Sequence, residues 1–328
     1  MKHPGQLSHR VVDAAFDERS VAEHGLVVGV VSTEGLLASA AHGVPERSAF
    51  YLASVSKVFT AMCLMIAADH GALSLDDDIR GIVPELPAWA AGATIGQLLW
   101  HTAPLPDYSQ LVEASGVDAH GVLTDELILD VLAAHDRPAS APGENFAYSN
   151  TGYWLLGVAL GRATGGTLRD FADQHLFGPL GMSATWFRDD YREQVPNLAV
   201  GHIAPGIPHP ASCFDRVGDG GVVSTLHDLT KWECAVLRHH EPWHGLVERI
   251  SAPVPLTDGS VPNWRAGVVI ENVHGHHAVL VGGTALGYRA FGARLPNERL
   301  TVFVLADLET ANVRGAAFRV IDALLVDT

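Results

Sequence analysis

Apolar positions change rhythm several times along the chain. Residues 8–24 space Val11, Val12, Ala15 and Val21 as one face of an amphipathic helix. The stretch GLVVGVVSTEGLLASAAHG then predicts two β-runs, 25–32 and 35–42, around a Thr-Glu-Gly turn. From Ser54, SVSKVFTAMCLMIAADHG carries a long apolar helical pattern that stops at Gly71. Residues 72–215 have another texture. Short helical patterns (TIGQLLWHT, TDELILDVLAAH, TGYWLLGVALGRATG, TLRDFADQHLF) alternate there with Pro/Gly loops. After Gly220 one more helix is predicted over TLHDLTKWECAVLRHH. Strand-like runs return in WRAGVVIENV, HAVLVGG, YRAFGARL and ERLTVFVLADL, and a terminal helix, NVRGAAFRVIDALLVDT, follows them.

The expected fold class is α/β: an antiparallel sheet built from both ends of the chain, flanked by the N- and C-terminal helices, with an inserted mainly helical lobe. The expected boundaries are 1–71 and 216–328 for the sheet lobe and 72–215 for the helical lobe. Strands joined by short hairpins do not need the long crossovers of a parallel sheet, which disfavours a Rossmann fold. There is no internal repeat, low-complexity tract or Gly-rich phosphate loop between a strand and a helix.

Composition narrows the function classes. At 328 residues the chain has room for one large domain or two closely packed ones, and 48% hydrophobic against 18% charged residues describes a well-cored protein. A net charge of −16 without any Lys/Arg cluster argues against nucleic acid and anionic membranes as partners. The first 25 residues lack the apolar core of a secretory signal, and no apolar run approaches the roughly 18–20 residues that span a bilayer. A cytoplasmic location is the expectation. Cys63, Cys213 and Cys234 follow no metal or redox spacing, so no disulfide is expected. The histidine clusters are His239-His240 with His244 and His274 with His276-His277; His240 and His244 are four apart around Glu241, but Pro242 interrupts the continuous helix that such a zinc pair uses. Both clusters fall in stretches that read as loops or strand edges. Neither a metal nor a cofactor is expected.

Two short segments carry candidate chemistry. Ser54 and Lys57 are three residues apart, so in a helix they share a face. Apolar neighbours would desolvate the ammonium and make it a usable base, and serine needs such a base to become a nucleophile. At a helix N-terminus Ser54 would also present its own N–H to a developing oxyanion. A Ser-x-x-Lys pair alone recurs by chance and also describes an ordinary helix start. The second segment, PGENFAYSNTGYWLLG, puts Tyr148 and Asn150 at the mouth of another helix. Capping by Asn150 and a packed Tyr148 ring would explain it. A phenol that relays protons and an amide that orients a lysine would explain it too.

Taken together, these segments resemble the penicillin-recognising serine hydrolases, the superfamily of serine β-lactamases and D,D-peptidases, on the class C and esterase side. LLWHTAPLPDY (98–108) resembles the family's LLTHTSGLPDY, PLGMSATWF (179–187) its PLGMxxTxF turn, and GDGGVVSTLHDLTKW (218–232) its GAGGLxSTAxDLAxF. The pieces stand in family order from about residue 25 to 310. The resemblance implies an acyl-enzyme mechanism: Ser54 attacks a carbonyl, Lys57 and Tyr148 share acid and base work, and Asn150 orients the lysine and substrate. The oxyanion is expected between the N–H of Ser54 and that of Thr284, with Gly283 allowing close approach of substrate. The substrate is expected to be a small-molecule ester, amide or lactam.

The third family motif departs. Lys-Thr-Gly or His-x-Gly is usual there, and VLVGGTALGYRAF places Val281, Gly282 and Gly283 instead. Valine supplies no cation for a substrate carboxylate, which turns the expectation toward esterase, amidase or acyl-transfer work. His276 or His277 is a remote substitute on the same hairpin. A binding or sensing protein on the same fold, or a D-aminopeptidase or β-lactamase with a modified third motif, is the alternative.

Overall fold

The strand Leu26–Ser32 (β1) is buried along its whole length, because helices cover both of its faces. It lies within a computed structural model that describes residues 11–325 except 12, 17–23, 104, 116–122, 136–139 and 211–214. Gly35–His42 (β2) pairs with β1 after the expected turn. Three short strands follow in the middle of the chain, Ala49–Tyr51 (β3), Trp186–Phe187 (β4) and Val222–Thr225 (labelled β7), with a small hairpin, His202–Ala204 (β5) and Ile207–Pro208 (β6), between them. The remaining strands are Val269–Val273 (β8), His276–Ala285 (β9), Tyr288–Leu295 (β10) and Leu300–Ala306 (β11). They complete a six-stranded antiparallel sheet in the order β2-β1-β11-β10-β9-β8, with Gly29 of β1 opposite Phe303 of β11.

The sheet drawn from both ends of the chain is therefore as expected. One face, with Val28, Val30 and Leu280, packs on the helix Val313–Leu325. The other, with Val27, Val31 and Val281, packs on the helices Ser56–Asp69 (α1) and Leu226–Leu237. Each fully buried aliphatic side chain contributes about 1.5–3 kcal/mol. Gly29 lets the helix Leu226–Leu237 approach: a Cβ there would lie 2.5 Å from a Leu226 methyl. Arg294 of β10 forks onto Glu233 of that helix at 2.8 and 2.5 Å, and the Thr301 hydroxyl donates to the same carboxylate at 2.7 Å. A buried pair with matched geometry fixes how helix and sheet meet.

Several expectations need adjustment. The helix over 8–24 lies largely outside the described residues; Val11 and Ala15 within it are buried. The second sheet, in the order β3-β7-β4, had no sequence signal, because strands of two to four residues show no period. His244 lies in a helix, Trp243–Ile250, rather than a loop, and its ring stacks on His239 at 3.9 Å. Cys63 and Cys234 are buried free thiols, and burial pushes the Cys63 thiol far up. Among the described residues no helix is long and apolar enough to cross a membrane.

Candidate active site

Ser54 does not open the α-helix directly. It sits in a 3-10 turn, Ala53–Val55, just before α1, and Ala53 holds the left-handed conformation at φ 49°. The Leu52 N–H donates to Val222 O at 2.8 Å, which ties this turn to β7. Lys57, in the first turn of α1, is only 1% exposed. Its Nζ reaches three acceptors: Ser54 Oγ at 3.2 Å, Asn150 Oδ1 at 2.9 Å and the Asp219 carbonyl at 2.6 Å. The rings of Tyr148 and Tyr153 lie 5.0 and 5.6 Å from the ammonium. A lysine this deep is tolerated because every N–H finds an acceptor and aromatic faces surround the charge.

Tyr148 OH stands 2.8 Å from Ser54 Oγ. Trp264 meets its ring edge-on at 5.2 Å, and His101 lies against it at 4.8 Å. Burial, and then the Lys57 charge, pull His101 down to about 3, so the imidazole is neutral. Its Nδ1 accepts from the Ser149 N–H at 3.3 Å, which assigns the ring proton to Nε2. His101 carbonyl oxygen also accepts from Ala147 N–H at 2.9 Å. His101 therefore grips the segment on both sides of Tyr148.

Asn150 is not the helix cap. Ser149 caps the helix Asn150–Thr164 by accepting from the Gly152 N–H, and Asn150 is the first helical residue. That frees the amide for Lys57, while its backbone N–H donates to Asp107 Oδ2 at 2.7 Å. Tyr108 and Trp154 are both 1% exposed; Trp154 is a core side chain, whereas Tyr108 also lines a cavity beside Ser54.

Strand β9 borders the other side of Ser54. Its pairing with β8 begins at Leu280, opposite Val269, so residues 281–285 have no β8 partner. A Cβ on Gly283 would lie 2.6 Å from both Ser54 N and Leu52 O, which only glycine avoids. Val281 is buried at 8% exposure and lines a cavity beside Ser54; Thr284 is exposed, opposite Arg289 of β10. His276 is held by Glu298 at 2.5 Å, five residues back along the strand, or about 16 Å at β-rise. Neither it nor His277 replaces the missing cation at Val281.

Sequence reasoning missed several residues that border Ser54 beside the predicted ones, among them Trp264, Arg289, Tyr51, Arg216 and Asp219. One cavity of about 500 Å³ contains Tyr148, Trp264, Val281, Gly283, Thr284 and Arg289. A smaller one of about 180 Å³ contains Tyr51, Tyr108, Asn150, Arg216, Asp219 and Gly220. Ser54 lines both. Burial, then Asp219, raise Tyr108 well above the usual phenol range and Tyr51 to about 12. The only available signal was Asp219 in GDGG, where the resembling segment has alanine.

An antiparallel sheet and flanking helices that converge on a Ser–Lys–Tyr–Asn cluster match the penicillin-recognising serine hydrolase superfamily. The family model described as Beta-lactamase matches residues 12–325, and the chain belongs to that family. It is 29% identical over 280 residues to Penicillin-binding protein 4* of Bacillus subtilis (strain 168), covering 80% of this chain and 61% of that protein. It is 26% identical over 312 residues to a D-aminopeptidase of Cereibacter sphaeroides, covering 92% of this chain and 60% of that protein. The chain thus spans about three fifths of the length of these curated relatives. A D-amino acid amidase from Ochrobactrum anthropi SV3 has a similar structure, with TM-score 0.79 and 21% identity over 98% of this chain and 99% of that one. So does the octameric penicillin-binding protein homologue from Pyrococcus abyssi, with TM-score 0.83 and 21% identity over 99% of this chain and 78% of that one. At such identities the structures speak for the fold alone.

Proposed function

We propose that the chain is a serine hydrolase that acts on small amides or esters through an acyl-enzyme on Ser54. The observation that carries this reading is the pair of contacts on Ser54 Oγ: Lys57 Nζ at 3.2 Å and Tyr148 OH at 2.8 Å. The proton leaves Oγ along the Tyr148–Lys57 pair as Oγ attacks the carbonyl carbon. The N–H groups of Ser54 and Thr284 receive the oxyanion. Tyr148 then returns the proton to the leaving nitrogen or oxygen, the C–N or C–O bond breaks, and water resolves the ester by the reverse route. Asn150 and the Asp219 carbonyl hold Lys57 in place throughout. In this reading the cleft lies between a sheet lobe, 1–71 and 216–328, and a helical lobe, 72–215.

The aminopeptidase activity named for a sequence relative supports amides as substrates. Val281 in the third motif disfavours strong β-lactamase action, since no cation stands at that position to hold the lactam carboxylate. The test is a fluorophosphonate probe read by intact mass. Wild type should gain one probe per chain and Ser54→Ala none; equal labelling of the two, or none of either, removes the nucleophile assignment.

A further inference from the structure

The loop that carries Asp219 is sewn onto α1 by three contacts. The Thr60 hydroxyl donates to the Gly218 carbonyl at 2.8 Å, Lys57 Nζ to the Asp219 carbonyl at 2.6 Å, and the Val222 N–H to Ser56 Oγ at 3.0 Å. Glycine makes this approach possible: Gly218 has φ of 119°, and a Cβ there would lie 2.4 Å from Tyr153 O. The residue whose backbone braces the lysine is therefore fixed in place, yet its side chain is a carboxylate. A lone carboxylate beside an amine favours the ammonium, the form that takes no proton from a serine.

The carboxylate is not alone. Tyr108 donates its OH to Asp219 Oδ2 at 2.5 Å, and Arg216 Nε donates to the same phenol oxygen at 2.6 Å, with its guanidinium carbon 4.5 Å from the ring centroid. Arg216 lines the same recess as Asp219. The array runs cation, neutral phenol, anion, since burial, and then Asp219, keep the Tyr108 proton in place. Tyr51 registers both charges: after burial has raised it, Asp219 pushes it further up and Arg216 pushes it down. Tyr108 itself is pinned, its N–H donating to Thr151 Oγ1 at 2.7 Å, and its neighbour Asp107 takes the Asn150 N–H. Two consecutive residues thus support the amide and the carbonyl that hold Lys57.

We propose that Tyr108 and Arg216 are positioning residues for the Ser54 reaction: they balance the charge of Asp219, so that its backbone holds Lys57 while its carboxylate leaves the amine able to act as a base. This rests on the acyl-enzyme reading of Ser54. Neutral His101 and Tyr153 face Lys57 from the helical side, and Arg289 lines the larger cavity on the strand side. Asp107 lies beyond Asn150, with its two oxygens taken by the N–H groups of Ser109 and Asn150. None of these four is hydrogen-bonded to Asp219 among the described residues.

The test is the pH dependence of kcat/KM for p-nitrophenyl acetate, a neutral ester, in wild type, Asp219→Asn, Arg216→Gln and the double variant. The acid limb reports loss of a proton from the Ser54–Lys57–Tyr148 cluster. Asp219→Asn leaves Arg216 unbalanced, which favours the deprotonated cluster, so the limb should move down by about half to one pH unit. Arg216→Gln leaves Asp219 unbalanced and should move the limb up by a similar amount. The double variant should return it to the wild-type position. Tyr108→Phe keeps both charges and cuts their link, so kcat should fall about tenfold with KM and the limb nearly unmoved. A merely structural role would lower the rates without shifts of opposite sign. Folded single variants that shift the limb the same way, or not at all, overturn the inference, as does a double variant whose limb stays displaced. If one single variant does not fold, the sign of the other's shift decides. Fluorophosphonate labelling in the same samples separates the two claims: a wild type unlabelled at Ser54 overturns the underlying reading instead.

Discussion

The two banks of Ser54 are built differently. On the helical bank Lys57 donates to Ser54 and Asn150 and Tyr148 reaches the same Ser54 oxygen, with Lys57 1% exposed and His101, Tyr153 and Trp264 packed behind them. On the strand bank β9 presents Val281, Gly282 and Gly283, with no charged side chain among them. The first bank groups amine, phenol and amide around Ser54, whereas β9 brings only apolar and glycine residues at 281–283. The difference teaches that bond-breaking machinery and substrate recognition can be built separately: β9 allows a close approach at Gly283 and carries valine where the resembling motif has a cation.

Breaking the helical bank should have the largest effect. Lys57→Ala is expected to lower the acylation rate on a nitrophenyl ester by about 10⁴-fold, the upper range for an acid–base group, measured by stopped flow. It also strands Asn150 Oδ1 and the Asp219 carbonyl, each costing about 1–3 kcal/mol if left unpaired, so the melting temperature should fall too. Tyr148→Phe keeps the ring contacts and loses the hydroxyl, for a loss of about 10²- to 10³-fold with little change in melting temperature.

The strand bank is broken by bulk rather than by lost charge. Gly283→Ala would push a methyl to 2.6 Å from Ser54 N and Leu52 O, both backbone atoms. The shift needed should lower kcat by about 10²-fold, since a misplacement of about 1 Å suffices for that. Val281→His sharpens the comparison from the other direction: it should raise kcat/KM about tenfold for carboxylate-bearing substrates relative to neutral ones. No gain in a folded variant would mean that this bank recognises something other than a carboxylate.

The remaining effect is on stability rather than on rate and concerns the support beneath Tyr148. His101 titrates near 3 when folded against an ordinary value of 6.5. The unfolded chain thus binds the extra proton first as pH falls. Stability is full above pH 6.5 and declines between 6.5 and 3, by about 1.4 kcal/mol per unit at most. His101→Asn, which tolerates the positive φ of 57°, should flatten that part of a urea-denaturation pH series.

The sequence shows these regions unequally, for physical reasons. The long sheet was legible because β1, β10 and β11 are seven or eight residues of β-character joined to their neighbours by short turns. The short strands around Ala49–Tyr51 and Val222–Thr225 were not, since their pairing depends on distant partners. Ser54 and Lys57 could be matched by local spacing. Asp219 could not: its carbonyl meets a lysine 162 residues away, and only folding brings Tyr108 and Arg216 to its side chain. Asn150 was misplaced by one position because Ser149, an equally good capping residue, took that role.

The most direct measurement of the central claim is a pre-steady-state trace with a p-nitrophenyl ester, followed by acid quench and peptide mass mapping. A burst of one nitrophenol per active chain, with the acyl mass on the peptide that holds Ser54 and absent from Ser54→Ala, is the predicted result. Steady turnover with no burst and no adduct at any time, or an adduct on another residue, would contradict it.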